Sequence, residues 1–425
     1  MKRHVPRIEL LGVILAFALI AGCGGGGDGT DTVEPTTADG VTGTPASSGD
    51  STGVTDTEIK LGTHMPLSQS PAAAYAIIAD GMRAYFDYIN DTEGGVHGRK
   101  ISLIVGDDHY SPPDTSEVVR KLVEQDKVFA IVGGLGEATH FTVWKYLEDR
   151  AVPDLFISSG IEAWTKPVAK TRFGGNPVYL QEGEMLGQYI ASEYPGKKLG
   201  LLIQDDEFGE EGEAGIRNGI EGSDVEITAV QTYDPANLLG DVTAQTQLLK
   251  NENVDVIAAY ALPPQAGSLI RTAREVLNWP VPIVISGVNA SNAFVQLAGV
   301  ENAEGVVTVL FGHQTWETDL AGVQQFLDVM QTYAPSASVE NFTEYGYIIA
   351  ELAVEALTRA GPDLTREGLI EALEGIKGYL CSLCVAPISF SPTDHRPFEI
   401  EVYVRLEDGK WVPFGEPVNF ESTPE

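Results

Sequence analysis

Short apolar runs alternate with longer segments in which apolar residues recur every three or four positions. The runs over 58–62, 100–106, 129–132 and 154–158 read as strands. Between the first two, Ile78, Met82, Tyr85, Phe86 and Ile89 share one helical face, and Gly94-Gly95 ends that helix. Segments 116–125 and 141–149 read as the next helices. The alternation then restarts. Helical patterns over 178–193, 210–221, 241–250 and 265–277 are interleaved with strand patterns over 199–204, 225–231, 254–260, 283–286 and 306–310. Helices over 321–333 and 343–360 follow, and the chain ends β-like over 388–390, 398–405 and 410–414. Strand–helix alternation predicts the α/β class with parallel sheets and right-handed crossovers. Its repetition predicts two doubly wound units in series, with a cleft between their carboxyl-end loops.

The run Phe129-Ala130-Ile131-Val132 feeds through Gly133-Gly134-Leu135-Gly136 into a helix opening near Thr139. A strand that turns into a helix through glycines leaves backbone N–H groups at the sheet's carboxyl edge, where open α/β sheets bind small molecules. Glycine at such a place also serves plain turn chemistry. The recurrence of the pattern along the chain favours the binding reading.

The first residues belong to a leader. Lys2, Arg3 and Arg7 precede an apolar stretch over 10–20 that is short for a permanent span. Leu19-Ile20-Ala21-Gly22-Cys23 resembles the lipobox of bacterial lipoproteins, which implies a signal peptide over 1–22, cleavage before Cys23 and lipidation of its thiol. More than one acyl chain would anchor the protein stably to a membrane. Residues 24–55 are Gly, Asp, Thr, Ser and Pro with few apolar side chains, and read as a flexible tether.

The 425 residues carry a formal charge of −34, or −36 once the leader is removed. A surface of that sign excludes nucleic-acid binding. Among the seven histidines there is no H-E-x-x-H and no close pair in sequence, so no metal site is expected. Asp107-Asp108-His109 reads as turn and helix-start chemistry. No G-x-S-x-G or P-loop motif occurs, and no G-x-G-x-x-G joins a strand to a helix, so no cofactor is expected and an enzyme is the weakest reading. Cys381 and Cys384 are the other two thiols. Outside the cytosol a short-loop disulfide is their plainest role; a thioredoxin-type pair needs a strand before a helix start, and zinc needs further ligands. Most tryptophans suit a core, with Trp164 the best placed for a cleft.

Ile59-Lys60-Leu61-Gly62, Tyr88-Ile89-Asn90, the turn from Gly94 to Lys100 and Asp107-Asp108 resemble the N-terminal signature of the branched-chain amino-acid binding proteins. These are the type I periplasmic-binding-fold receptors of ABC importers. The likeness continues through Gly133-Gly134, Val152-Pro153, 206–209 and Ser391-Pro392-Thr393-Asp394, and covers 57–418. It implies two lobes joined by a hinge of three crossovers, the first over 56–175 plus 312–388 and the second over 176–311 plus 389–425. It also implies a monomeric receptor that passes a small-molecule solute to ABC permease subunits. The ligand's carboxylate would meet loops after the third and fourth strands, here Leu135, Gly136, Glu137 and Thr139, and Ser158, Ser159, Gly160 and Glu162. Aromatic walls would come from Tyr75 and Phe208. Tyr260 and Asn289 stand in the matching second-lobe positions.

This chain departs from that pattern. Glu137 replaces an expected serine, Glu162 adds a second acid, and the loop Ser286-Gly287-Val288-Asn289 lacks the acid that would meet an ammonium. Two acids would repel a carboxylate. Either they face solvent, or the ligand differs from an α-amino acid and is neutral or cationic. The expected ligand is an amino acid or related small organic solute. A sensory lipoprotein acting on a partner protein is the alternative, and Glu137 with Glu162 is the acid pair an enzyme would use.

Overall fold

A computed structural model describes residues 49–420 except 69, 71 and 238. The leader, Cys23 and the tether up to residue 48 lie outside the described residues, and among those described no helix is long and apolar enough to cross a membrane.

Two sheets organise the chain. The first contains β1 (Glu58–Met65), β2 (Lys100–Asp107), β3 (Ala130–Val132), β4 (Asp154–Ile157) and β5 (Arg172–Gly174), in the order β2-β1-β3-β4-β5 and parallel throughout. Every residue of β3 and β4 is buried, which explains why they read as unbroken apolar runs. α1 (Ile78–Thr92), α2 (Pro112–Glu124), α3 (Glu137–His140) and α4 (Trp144–Asp149) connect these strands.

The second sheet has the order β12-β11-β10-β9-β8-β6-β7. Its strands are β6 (Lys198–Gln204), β7 (Glu226–Tyr233), β8 (Val256–Tyr260), β9 (Ile283–Ile285), β10 (Val307–Leu310), β11 (Ile400–Glu407) and β12 (Lys410–Asn419). Five are parallel, while β11 and β12 form an antiparallel hairpin on β10. α5 (Tyr179–Glu193), α6 (Glu207–Gly219), α7 (Thr243–Asn251), α8 (Pro263–Arg271), α9 (Asn292–Ala298) and α10 (Val300–Ala303) accompany it. After β10 the chain returns to the first sheet. There α11 (Ala321–Tyr333) and α12 (Asn341–Ala360) pack on α1, and α13 (Arg366–Glu374) packs on α12. The chain then re-enters the second sheet as β11, so it passes between the sheets three times.

Several expected boundaries move. β1 runs on through His64-Met65, beyond the 58–62 run that the apolar pattern predicts. β5, α9, α10 and α13 are elements that the periodicity did not single out. The stretch 388–390 forms no strand, only an isolated bridge between Tyr379 and Ile388. The last part of the expected flexible tether is held in place. The Arg366 guanidinium reaches Asp50 at 2.7 Å, the Ser51 hydroxyl donates to Leu364 O, and Val54 bridges Ile59.

Candidate functional site

A cavity of about 110 Å³ lies where the carboxyl ends of both sets of parallel strands meet. From the first sheet come Leu135, Gly136 and Glu137 beyond β3, Ser158 beyond β4, and Tyr75 and Tyr110 from the loops after β1 and β2. From the second come Phe208 after β6, Leu262 after β8, Gly287 and Val288 after β9, and 309–312 at the end of β10. The starts of α5 and α12 supply Tyr179, Glu182, Phe342, Glu344 and Tyr345, and β11 supplies Glu401.

The loop after β3 is shaped by Gly136. Its φ of +99° belongs to the left-handed region, and a Cβ there would stand 2.5 Å from Thr139 Oγ1 and 2.6 Å from the Tyr110 ring. Glu137 therefore enters α3 directly against the cavity. Its Oε1 accepts from the Ser159 hydroxyl at 2.7 Å, and burial together with the nearby Asp206 charge pushes its carboxyl up to about 7.

On the opposite wall Glu182 projects from the first turn of α5 beside Gly287, where a Cβ would come within 2.9 Å of its Oε2. Burial raises Glu182 to about 7. Glu401 is driven well above the usual carboxylate range by burial and by the Glu182 charge. Glu344 is driven the same way by burial, then by Glu317 and Glu340. α12 starts cleanly because Glu340 and Thr343 cap it reciprocally, which fixes Glu344 one residue on.

Of the residues singled out in the sequence, Tyr75, Leu135, Gly136, Glu137, Ser158 and Phe208 line the cavity. The others stand behind it or away from it. The Thr139 hydroxyl donates to Leu135 O, and Ser159 sits beneath Glu137. Gly160 packs against Pro177 and Tyr179. Glu162 turns outward to Lys166 at 3.2 Å, while its N–H donates to the Glu211 carboxylate. Glu137 and Glu162 therefore form no acid pair in the cavity. The Tyr260 ring supports Phe208 and Tyr179, and the Asn289 amide donates to Ala261 O. Trp164 is 1% exposed, with its indole N–H on Ser159 Oγ; it belongs to the packing under the site rather than to the cleft.

Glu182, Glu344 and Glu401 were missed. The available signal was an acid on an apolar face, since Glu182 shares a helical stripe with Tyr179, Met185 and Leu186, and Glu344 one with Ile348 and Leu352.

Beneath the β3 loop runs a buried row of hydrogen bonds that no spacing announces. Asp108 Oδ2 meets His64 Nδ1 at 2.7 Å, His64 Nε2 meets His140 Nδ1 at 3.0 Å, and His140 Nε2 meets Asp154 Oδ2 at 2.8 Å. The two histidines thus pair in space though not in sequence. Asp107 keeps the turn role read for it, accepting from the Leu67 N–H and the Ser68 hydroxyl. Among the described residues no group of three or more His, Cys, Asp or Glu is arranged to hold a metal ion. Away from the cavity, Cys381 and Cys384 form a disulfide.

Comparison with known proteins agrees with this architecture. The chain is 24% identical over 184 residues to an amino acid binding protein of Pseudomonas aeruginosa, a match over 43% of this chain that spans about half of that relative (48%). It is 23% identical to Leu/Ile/Val-binding protein homolog 1 of Brucella suis, over 73% of this chain and 81% of the relative. A fatty acid ABC transporter substrate-binding protein from Thermomonospora curvata shares its fold, with a TM-score of 0.77 at 24% identity over 88% of this chain and 95% of the other. The sequence model of the periplasmic binding protein family matches residues 58–409, and the chain belongs to that family.

Proposed function

We propose that this protein is the extracytoplasmic receptor of an ABC importer, held to the membrane through lipidated Cys23, and that it binds a small organic solute in the cavity described above. The observation that carries the reading is the cavity's position. It is built from strand ends of both sheets, so a solute there touches both halves of the fold at once. The halves are the lobes 56–175 plus 312–388 and 176–311 plus 389–425, hinged by the three chain passages. Hydrogen bonds already span them, among them the Tyr75 hydroxyl donating to Val288 O at 3.3 Å, the Glu162 N–H to Glu211, and the Asn292 N–H to Glu340 Oε2. The solute stabilises the closed arrangement to the extent that it binds that arrangement better than the open one. The names of the relatives, which print an amino acid, Leu/Ile/Val and a fatty acid, support a small-solute receptor and leave the solute's class to this chain's own residues.

The protein is no enzyme in this reading; its acids bind rather than react. The test is solution scattering of the purified full-length protein, with and without a mixed panel of amino acids, amines and small carboxylates. A decrease in radius of gyration with one of them is expected. A protein that binds none of them and never compacts is not a solute receptor. Mass spectrometry of the lipid-extracted N-terminus checks the anchor at Cys23.

A further inference from the structure

The charge balance of the cavity is one-sided. Glu137, Glu182, Glu344 and Glu401 all line it, and each is at most 5% exposed. Among the described residues that line it there is no Lys, Arg or His. Oε1 of Glu182, Oε1 of Glu344 and Oε2 of Glu401 have no hydrogen-bond partner among the described residues. Buried acceptors without donors are costly, and a group that donates to them relieves that cost.

Several donors that an anion would need from the two loops are already committed, while the Asn341 amide N–H, at the start of α12, lines the cavity without a partner among the described residues. The N–H of Leu135 donates to His64 O, that of Gly136 to Ser158 O, that of Ser158 to Gly134 O, and that of Ser159 to Ile157 O. The hydroxyls of Thr139, Ser158 and Ser159 donate to Leu135 O, Gly133 O and Glu137 Oε1. The loops that would hold a carboxylate therefore turn acceptors toward the solute. Between the acids lie aromatic rings, Tyr75 against Phe342 at 4.7 Å and Tyr179 against Phe208 at 4.8 Å between centroids. Such rings suit an apolar body, and their faces attract a cation.

We infer that the solute is an organic cation, an amine or quaternary ammonium with an apolar body and no carboxylate. This rests on the receptor reading above and narrows it. The acids come from four elements, α3, α5, α12 and β11, so a compound with two ammonium groups can meet acids on more than one of them.

The site also has a proton signature. Glu137 faces Asp206 and the hydroxyls of Ser159 and Tyr110; Glu182 faces Glu401, Tyr260 and Ser286; Glu344 faces Glu317 and Glu340. Burial holds Glu137 and Glu182 up at about 7, so both carry much proton near neutrality without ligand. A cation favours the ionised forms, so its binding expels protons and its affinity rises as pH rises through about 7, while the amine itself stays protonated.

The experiment is titration calorimetry on the full-length protein with 1,4-diaminobutane, phenethylamine and choline, against leucine and hexanoate, at pH 6 and 8. At least one amine is expected to bind, about tenfold or more tighter at pH 8, with proton release shown by buffers of different ionisation enthalpy. Glu182→Gln and Glu344→Gln are each expected to weaken it tenfold or more, with melting temperature unchanged or raised. Binding of leucine or hexanoate but of no amine overturns the cation inference and leaves the receptor reading standing. Amine binding indifferent to pH and to both substitutions also overturns it. Failure of every probe on folded protein overturns it too, and when scattering also shows no compaction, the receptor reading falls with it.

Discussion

His140 shows how much one side chain can hold. It lies in a four-residue helix, touches His64 on one ring nitrogen and Asp154 on the other, and meets the Trp164 ring edge-on. Asp154 Oδ1 already has no partner among the described residues. Replacing His140 with leucine would strand the other oxygen as well, in a site closed to water. A stability loss of about 3 kcal/mol or more is expected, read from urea unfolding. A loss under about 1 kcal/mol would mean that the row of hydrogen bonds is not what fixes the β3 loop. The histidines are distant in sequence, so only the parallel pairing of β1 with β3 and β3 with β4 brings them together. By contrast, Glu137 was visible from its place after a strand–glycine turn.

At the scale of elements, α5 and α6 pack through glycines rather than through a ridge of large side chains. A Cβ at Gly187 would stand 2.6 Å from Ile216 O, and one at Gly219 2.1 Å from Glu184 O. The helices approach closely because neither carries a side chain there, and α5 in turn places Glu182 and Tyr179 at the cavity. Gly219→Val should force the helices apart, with a stability loss of about 1–3 kcal/mol by thermal unfolding and weaker solute binding as α5 shifts. Loss of stability with unchanged binding would show that α5 does not set the cavity. The disulfide acts more locally. Cys381 and Cys384 are three positions apart, so chain entropy limits its contribution to about 2 kcal/mol. Replacing both with serine should lower the melting temperature modestly and leave solute affinity intact.

For the whole molecule, the buried acids set the pH dependence of folding. Glu137 and Glu182 hold their protons up to about 7 when folded, against 4.5 in an unfolded chain. The folded state therefore binds more protons between those values, and stability falls as pH rises across that window, by ~3 kcal/mol for each such group. Asp394 has the opposite sign. Hydrogen bonds from Arg396 outweigh its burial and hold it below its usual value, so its contribution is lost only below about 3.8. The free protein should melt at a higher temperature at pH 5 than at pH 8, and bound solute should narrow the difference. A melting temperature that climbs from pH 5 to 8 without solute would contradict the assigned burial of these acids. Closure has its own test at this scale. Glu211 accepts the Glu162 N–H across the cleft without lining the cavity, so Glu211→Ala should weaken solute binding about five- to tenfold by favouring the open arrangement, with little change in melting temperature.

The pattern of apolar residues was enough to predict the α/β class, the parallel strands and the two units in series, because buried strands and one-sided helices leave periodic marks in a single chain. The glycine turn before Glu137 was legible for the same reason, and the family likeness placed Tyr75 and Phe208. The antiparallel hairpin on β10, the return of α11–α13 to the first sheet and the docking of residues 49–55 depend on pairings between distant segments, which leave no local period. So does the character of the cavity. Glu182, Glu344 and Glu401 lie far apart in sequence, the first two each an acid on an apolar helical face and the third on a strand. Their shared burial, and the absence of a base among the described lining residues, exist only once three elements converge, because a carboxyl group's charge state is decided by what surrounds it.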